Sequence, residues 1–185
     1  MKPLYEEYDK IYTQKWYYRC PWNESPFGKL LEKVAEHIKD TDTVVELGCG
    51  TGQLMELLLE KGIPKYIGYD FSQVGIDLAR EKTGQHDVEI FCRDLYELEF
   101  LPFADVYIAV EVFEHLKDDC DKKLLSFIPQ GKKVVITVPN FLGGSHVRMF
   151  ATKEDILNRY DEIKFDEITE LGSETKKFIC IGEKK

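Results

Sequence analysis

The chain has 185 residues, 43% hydrophobic and 32% charged, which gives room for one domain with a sizeable core and excludes a disordered chain. Lys plus Arg number 25 against 34 Asp plus Glu, a formal net charge of −9. A general nucleic-acid coat is excluded and a nucleic-acid partner disfavoured, because phosphate binding needs a basic field. The five cysteines, Cys20, Cys49, Cys92, Cys120 and Cys180, are odd in number and scattered, with no Cys-x-x-Cys pair. Neither a zinc ribbon nor a disulfide framework is indicated, and the expectation is a reduced, cytoplasmic protein. Met1-Lys2-Pro3-Leu4-Tyr5-Glu6-Glu7 lacks a signal-type apolar run, and the longest uncharged stretch, Val134 to Val147, is broken by Pro139, Gly143 and Gly144. No membrane span is expected.

In chain order, residues 1–41 stand apart as an aromatic extension. Five of the ten tyrosines (Tyr5, Tyr8, Tyr12, Tyr17, Tyr18) and both tryptophans (Trp16, Trp22) lie there, and a helix is expected around Lys29 to Ile38. From residue 43 short apolar runs alternate with helical patterns. Thr43 to Leu47 reads as a buried strand ended by glycines, and Gln53 to Lys61 as a helix with Leu54, Leu57 and Leu58 on one stripe. Tyr66 to Asp70 is a second strand, and Ser72 is the N-cap of a helix running to about Lys82. Val88 to Cys92 is a third strand and Ala104 to Val112 a fourth, followed by a helix near Lys117 to Phe127. Val134 to Val138 is a fifth strand, stopped by Pro139-Asn140. A helix is expected from Lys153 to Arg159, and strands from Ile163 to Glu170 and from Lys177 to Gly182.

This alternation predicts an α/β fold with a mostly parallel sheet and helices on both faces. With no helix between them, the last two strands are expected to form a hairpin that makes one edge strand antiparallel.

The motif Glu46-Leu47-Gly48-Cys49-Gly50-Thr51-Gly52 ends the first strand and opens the first core helix, where an open parallel sheet binds its cofactor. A dinucleotide fingerprint would place its third glycine at 53; Gln53 stands there, and Gly52 comes one position early. Asp70, at the end of the second strand, is placed to accept from a ribose, and Asp94, at the end of the third, to accept from an exocyclic amine. The glycine loop holds no Lys or Arg, so a cationic ligand without phosphates suits it better than NAD or ATP.

Val44–Gly52, Tyr66–Ser72, Arg93-Asp94-Leu95, Ala104–Leu116 and Val134–Asn140 together resemble the class I S-adenosylmethionine (SAM)-dependent methyltransferases, over about residues 43 to 182. The resemblance implies a Rossmann-like seven-stranded sheet whose last strand is antiparallel, one domain in all, with a SAM-binding part at 42–185. It implies that Gly48, Gly50 and Gly52 line the methionine and ribose of SAM above Glu46. Asp70 would hold the ribose hydroxyls, Asp94 the adenine amine, and Leu95 and Phe71 would border the base. Glu111 would stand on the cofactor side. Family members of this size commonly use an N-terminal segment as a lid over cofactor and acceptor. Simple docking of Tyr8, Tyr12, Trp16 and Trp22 on the core is the alternative.

The second cluster is Glu111-Val112-Phe113-Glu114-His115-Leu116, at the end of the fourth strand. By the resemblance this end faces the reactive methyl, where His115, with Glu114 as second choice, would take a proton from the acceptor. Glu111, Glu114, His115 and His146 are also similar to the metal set of small-RNA 3′-terminal ribose 2′-O-methyltransferases. Such a set would suit Mn²⁺ or Zn²⁺ better than Mg²⁺. The same Glu-x-x-Glu-His is similar to ubiquinone-pathway O-methyltransferases and small-molecule relatives. The expectation is methyl transfer to an oxygen or nitrogen of a small-molecule acceptor. A metal-dependent RNA ribose methyltransferase and a SAM-binding protein without catalysis are the alternatives. No motif speaks to the oligomeric state.

Overall fold

The computed structural model describes residues 4–84 and 86–185. The expected extension at 1–41 therefore begins with three residues outside those described. The elements run α1 (Leu4–Gln14), α2 (Trp16–Arg19), α3 (Gly28–Ala35), β1 (Thr43–Leu47), α4 (Gln53–Glu60), β2 (Lys65–Asp70), α5 (Gln73–Arg80), β3 (Val88–Cys92), β4 (Val106–Val110), α6 (Cys120–Ser126), β5 (Lys133–Pro139), α7 (Lys153–Arg159), β6 (Ile163–Leu171) and β7 (Lys177–Lys184). Short 3₁₀ turns cover Trp22–Glu24, Leu95–Glu97 and Phe113–His115. The strands follow the order β3-β2-β1-β4-β5-β7-β6. By compactness the chain divides into one unit ending at Glu97 and a second from Leu98 to Lys185.

In the first unit β1 pairs parallel with β2, and β2 with β3. Val44, Val45, Tyr66 and Ile67 are buried, as central parallel strands require. The helix after β2 starts as expected: the Ser72 hydroxyl accepts from the Gly75 N–H at 3.0 Å, satisfying one orphan donor of the first turn. The extension contributes a helix the sequence reading did not place, α1, besides the expected α3, which buries Leu30, Leu31 and Val34.

In the second unit β4 and β5 are parallel, and β7 runs antiparallel to both β5 and β6. The antiparallel strand is thus internal rather than at the edge: β7 inserts between β5 and β6. The residues account for this. Phe178, Ile179, Cys180 and Ile181 form a run that is entirely buried, while β6 buries only Ile163 and exposes most of its polar side chains. A continuous apolar run belongs inside a sheet, and an exposed charged strand at its rim. Thr152 and Asp155 form a capping box at the start of α7. Among the described residues no helix is long and apolar enough to cross a membrane.

Candidate active site

In the first unit the glycine loop turns back on the end of β2. The N–H groups of Gly48 and Cys49 donate to the Tyr69 carbonyl at 2.7 and 3.0 Å. The Asp70 carboxylate accepts from Gly50 N–H at 2.9 Å through Oδ2 and from Ser72 N–H at 2.8 Å through Oδ1. With a further bond from the Phe71 amide, three of the roughly four lone-pair sites of the carboxylate are used, so Asp70 is held in place and keeps capacity to accept from a ligand. Gly50 has φ +52° and Gly52 φ +74°, conformations that an L side chain occupies at a cost. A Cβ on Gly52 would also come within 2.9 Å of the Ala79 Cβ.

Burial pushes the Asp70 carboxyl up to about 6, against the lowering effect of its backbone hydrogen bonds. Glu46, buried at the end of β1, is pushed by burial up to about 8 even though Tyr66 donates to it. It is therefore neutral at pH 7. Phe71 is half-buried and packs edge-to-face on Tyr8, with ring centroids 5.4 Å apart. Leu95 is buried, whereas Asp94 is exposed and its Oδ1 accepts from Tyr96 N–H at 3.0 Å.

Docking of the extension on the core, one of the two expectations for it, is seen for Tyr8 and Tyr12 and not for Trp16, which is exposed. Tyr12 is buried, and its hydroxyl lies 3.1 Å from where a Gly50 Cβ would stand. A Cβ on Gly75 would meet the Tyr12 ring at 2.9 Å, so that glycine is what lets α1 sit down on α5. Asp9 of α1 accepts from the Ser72 hydroxyl. Gln53, in the sequence only an argument against a dinucleotide, is a buried clasp. Its Nε2 donates to the carbonyls of Tyr17 and Cys20 at 2.9 and 3.0 Å, and its Oε1 accepts from Ser25 Oγ at 3.1 Å. The i, i+4 spacing of Tyr8 and Tyr12 was the one signal that could have placed their rings on a common face.

In the second unit the turn after β4 and the loop after β5 meet. One potential ligand atom from each of Glu114, His115 and His146 lies within 4.8 Å of the others. His115 Nε2 stands 3.8 Å from Glu114 Oε1, and the two imidazoles cross nearly at right angles with centroids 4.7 Å apart. His146 Nδ1 donates to the Phe141 carbonyl at 3.1 Å, which leaves Nε2 as the ring nitrogen that can serve as a ligand. Glu114 is fully buried, and neither carboxylate oxygen has a hydrogen-bond partner. Burial, then Glu111, raises its carboxyl well above the usual range. Burial, then His146, pushes His115 down to about 4.

Glu111 lies outside this group of three. It has φ +55°; its Oε1 accepts from Thr137 Oγ1 at 3.0 Å and its Oε2 takes the Lys177 ammonium. The expected four-residue metal set is therefore three residues and an ion-paired neighbour. The residues fit a divalent ion such as Mn²⁺ or Zn²⁺: two imidazole nitrogens and a carboxylate with nothing else to satisfy it.

The first unit thus joins a glycine turn after β1 to an anchored acid at the end of β2. Residues 44–129 match the family described as Methyltransferase domain. The chain is 28% identical over 129 residues to the small RNA 2′-O-methyltransferase of Arabidopsis thaliana, covering 60% of this chain and 14% of the relative. It is 29% identical over 119 residues to the malonyl-[acyl-carrier protein] O-methyltransferase of Acetivibrio thermocellus, covering 60% of this chain and 42% of the relative. In fold it is similar to the N-methyltransferase NodS from Bradyrhizobium japonicum, solved with S-adenosyl-L-homocysteine (SAH): TM-score 0.77, 13% identity, 99% of each chain covered. The segment 44–129 is thus similar to methyltransferase domains, and the fold of the chain is that of the solved neighbour. The chain spans less than half the length of either of these curated relatives.

Proposed function

We propose that the protein transfers the methyl group of SAM to an oxygen or nitrogen of a small-molecule acceptor. The observation that carries the cofactor reading is Asp70, anchored by the Gly50, Ser72 and Phe71 amides with acceptor capacity left for a ligand. Gly48, Gly50 and Gly52 would line the methionine and ribose, Asp70 would accept from the ribose hydroxyls, and Glu46 would lie beneath as a neutral acid. Phe71, Asp94 and Leu95 would border the adenine, with Glu111 also on the cofactor side. The extension 1–41 would act as a lid on the SAM-binding part, 42–185, through α1. When bound, SAM supplies an electrophilic methyl on a sulfonium. The protein's own part is to align donor and acceptor and to keep water away from them.

His115, with Glu114 second, is proposed as the base or metal-proximal group. Its imidazole is neutral at pH 7 and offers a lone pair without first losing a proton.

Three observations favour a small acceptor over RNA. The net charge is −9. The cations beside the cluster are already paired: Arg148 with Asp121, Arg159 with Asp119 and Asp121, Lys177 with Glu111. The loop bearing His146 exposes Leu142, Val147 and Met149, an apolar rim rather than a phosphate-binding one. Among the described residues the cysteines form no disulfide, which suits a reduced, cytoplasmic setting.

The decisive experiment is calorimetric titration with SAH, followed by transfer of radiolabelled methyl from SAM to a panel of hydroxyl and amine acceptors. Absence of SAH binding overturns the reading. Binding without transfer to any acceptor would instead point to a sensor or partner subunit.

A second reading rests on the unpartnered Glu114 beside His115 and His146: a metal-dependent RNA ribose 2′-O-methyltransferase. It expects methylation of a short RNA that EDTA abolishes and Mn²⁺ restores, and inert RNA removes it.

A further inference from the structure

We propose that Arg148 is a positioning residue that holds His146 against Glu114 and His115, gripping their turn at both ends from an anchor on Asp121. This rests on the reading of those three residues as a divalent-metal site.

The guanidinium lies in the second unit between the loop after β5 and the 3₁₀ turn after β4. Its Nη1 donates to the Phe113 carbonyl at 3.3 Å and to Asp121, and its Nη2 donates to the Leu116 carbonyl at 2.6 Å. Phe113 and Leu116 flank Glu114-His115, so one planar group fixes the turn on both sides of the two candidate ligands. The backbone closes the same junction, because Val147 and Arg148 N–H both donate to the Glu114 carbonyl, at 2.8 and 3.3 Å. His146 therefore precedes two residues tied to the turn that carries its partners. Its ring is further aimed by the Phe141 carbonyl.

Only a fork of fixed geometry satisfies a carboxylate and two carbonyls at once; a lysine ammonium would keep the charge and lose the pattern. Asp121 is the fully buried anchor. It also receives Arg159 Nη2 at 2.7 Å, Arg159 Nε at 3.1 Å and the Tyr160 hydroxyl at 3.0 Å. Loss of Arg148 thus leaves Asp121 paired, so the fold can survive the substitution. Arg159 supplies a matched control, since it shares Asp121 and makes no recorded bond to the Phe113–Leu116 turn.

The test is titration with Co²⁺ alone, followed by its visible absorption, on the full chain and on Arg148→Lys, Arg148→Ala and Arg159→Lys. Circular dichroism and thermal melting are recorded on each. The expectation is Co²⁺ binding by the unsubstituted protein and by Arg159→Lys, and binding weaker by about 10- to 100-fold in folded Arg148→Lys, the usual cost of losing a partner that orients metal ligands. Should Arg148→Ala fail to fold, Arg148→Lys decides. Equal Co²⁺ affinity in folded Arg148→Lys overturns the positioning role and leaves the metal reading standing. An equal loss in Arg159→Lys also overturns it, by showing that any weakening of Asp121 suffices. No Co²⁺ binding by the unsubstituted protein overturns the metal reading and this inference together.

Discussion

At Asp70 two forces oppose each other. Burial raises the carboxyl from 3.8 to about 6, while the amides of Ser72 and Gly50 work to lower it. A ribose would bond to the ionised form, so SAH affinity should fall about tenfold per pH unit below about 6, the logarithmic slope of a single titrating site. Calorimetry between pH 5 and 8 checks this, and Asp70→Asn should bind weakly at every pH. For the ligand-free fold the sign is reversed. Asp70, raised from 3.8 to about 6, and Glu46, raised from 4.5 to about 8, both favour the protonated acid in the folded state. Their stabilising contribution is full below pH 3.8 and disappears as pH rises through 6 and then 8. His115, lowered from 6.5 to about 4, acts the other way: its contribution is full above 6.5 and is lost as pH falls through about 4. Melting temperature against pH, compared between the parent, Glu46→Gln and His115→Gln, separates the two slopes. The loop glycines divide similarly. Gly50→Leu, at φ +52° and with its Cβ 3.1 Å from the Tyr12 hydroxyl, should abolish SAH binding, with circular dichroism checking that the protein stays folded. Gly52→Ala drives a Cβ into the Ala79 Cβ at positive φ and should cost about 2–4 kcal/mol of stability, strain and overpacking together.

Among the elements, those whose sequence signal comes from burial on both faces were the easiest to read. β1, β2 and β5 are mainly apolar runs ended by glycine, acid or proline, and they lie close to where the pattern placed them. Ser72 was legible as a cap because its chemistry is local. The hairpin of the last two strands lies at the rim as expected, but its antiparallel strand β7 is the inner one. The buried run Phe178–Ile181 already distinguishes it from the mostly exposed β6. α1 escaped because it is rich in charge and tyrosine, and its reason to be a helix is a glycine loop some forty residues further on. Glu114, His115 and His146 were legible as a group by resemblance, but the diversion of Glu111 to Lys177 depends on a contact 66 positions away, which no local pattern announces. Gln53 provides the test at this scale. Gln53→Ala removes a buried amide that serves two carbonyls and a hydroxyl. The expected cost is about 1–3 kcal/mol, with faster proteolytic cleavage between residues 15 and 27, seen by mass spectrometry.

For the molecule as a whole, charge sets which partners can approach. A chain of net charge −9 whose cluster-side cations are already paired releases few counterions on meeting a polyanion. Its affinity for a single-stranded RNA at physiological salt should be weaker than about 10⁻⁴ M, the feeble end of non-specific binding. Fluorescence anisotropy measures this directly, and micromolar, salt-sensitive binding would turn the balance towards the RNA reading.

The thiols have a practical consequence. Cys49, Cys120 and Cys180 are sealed in the interior, whereas Cys20 and Cys92 are half-accessible. Replacing Cys92 with serine would leave Cys20 as the reactive site for a maleimide fluorophore, mounted on the segment that Gln53 clasps. Its emission during stopped-flow mixing with SAH would report in real time whether that segment lifts and resettles as a nucleoside comes and goes.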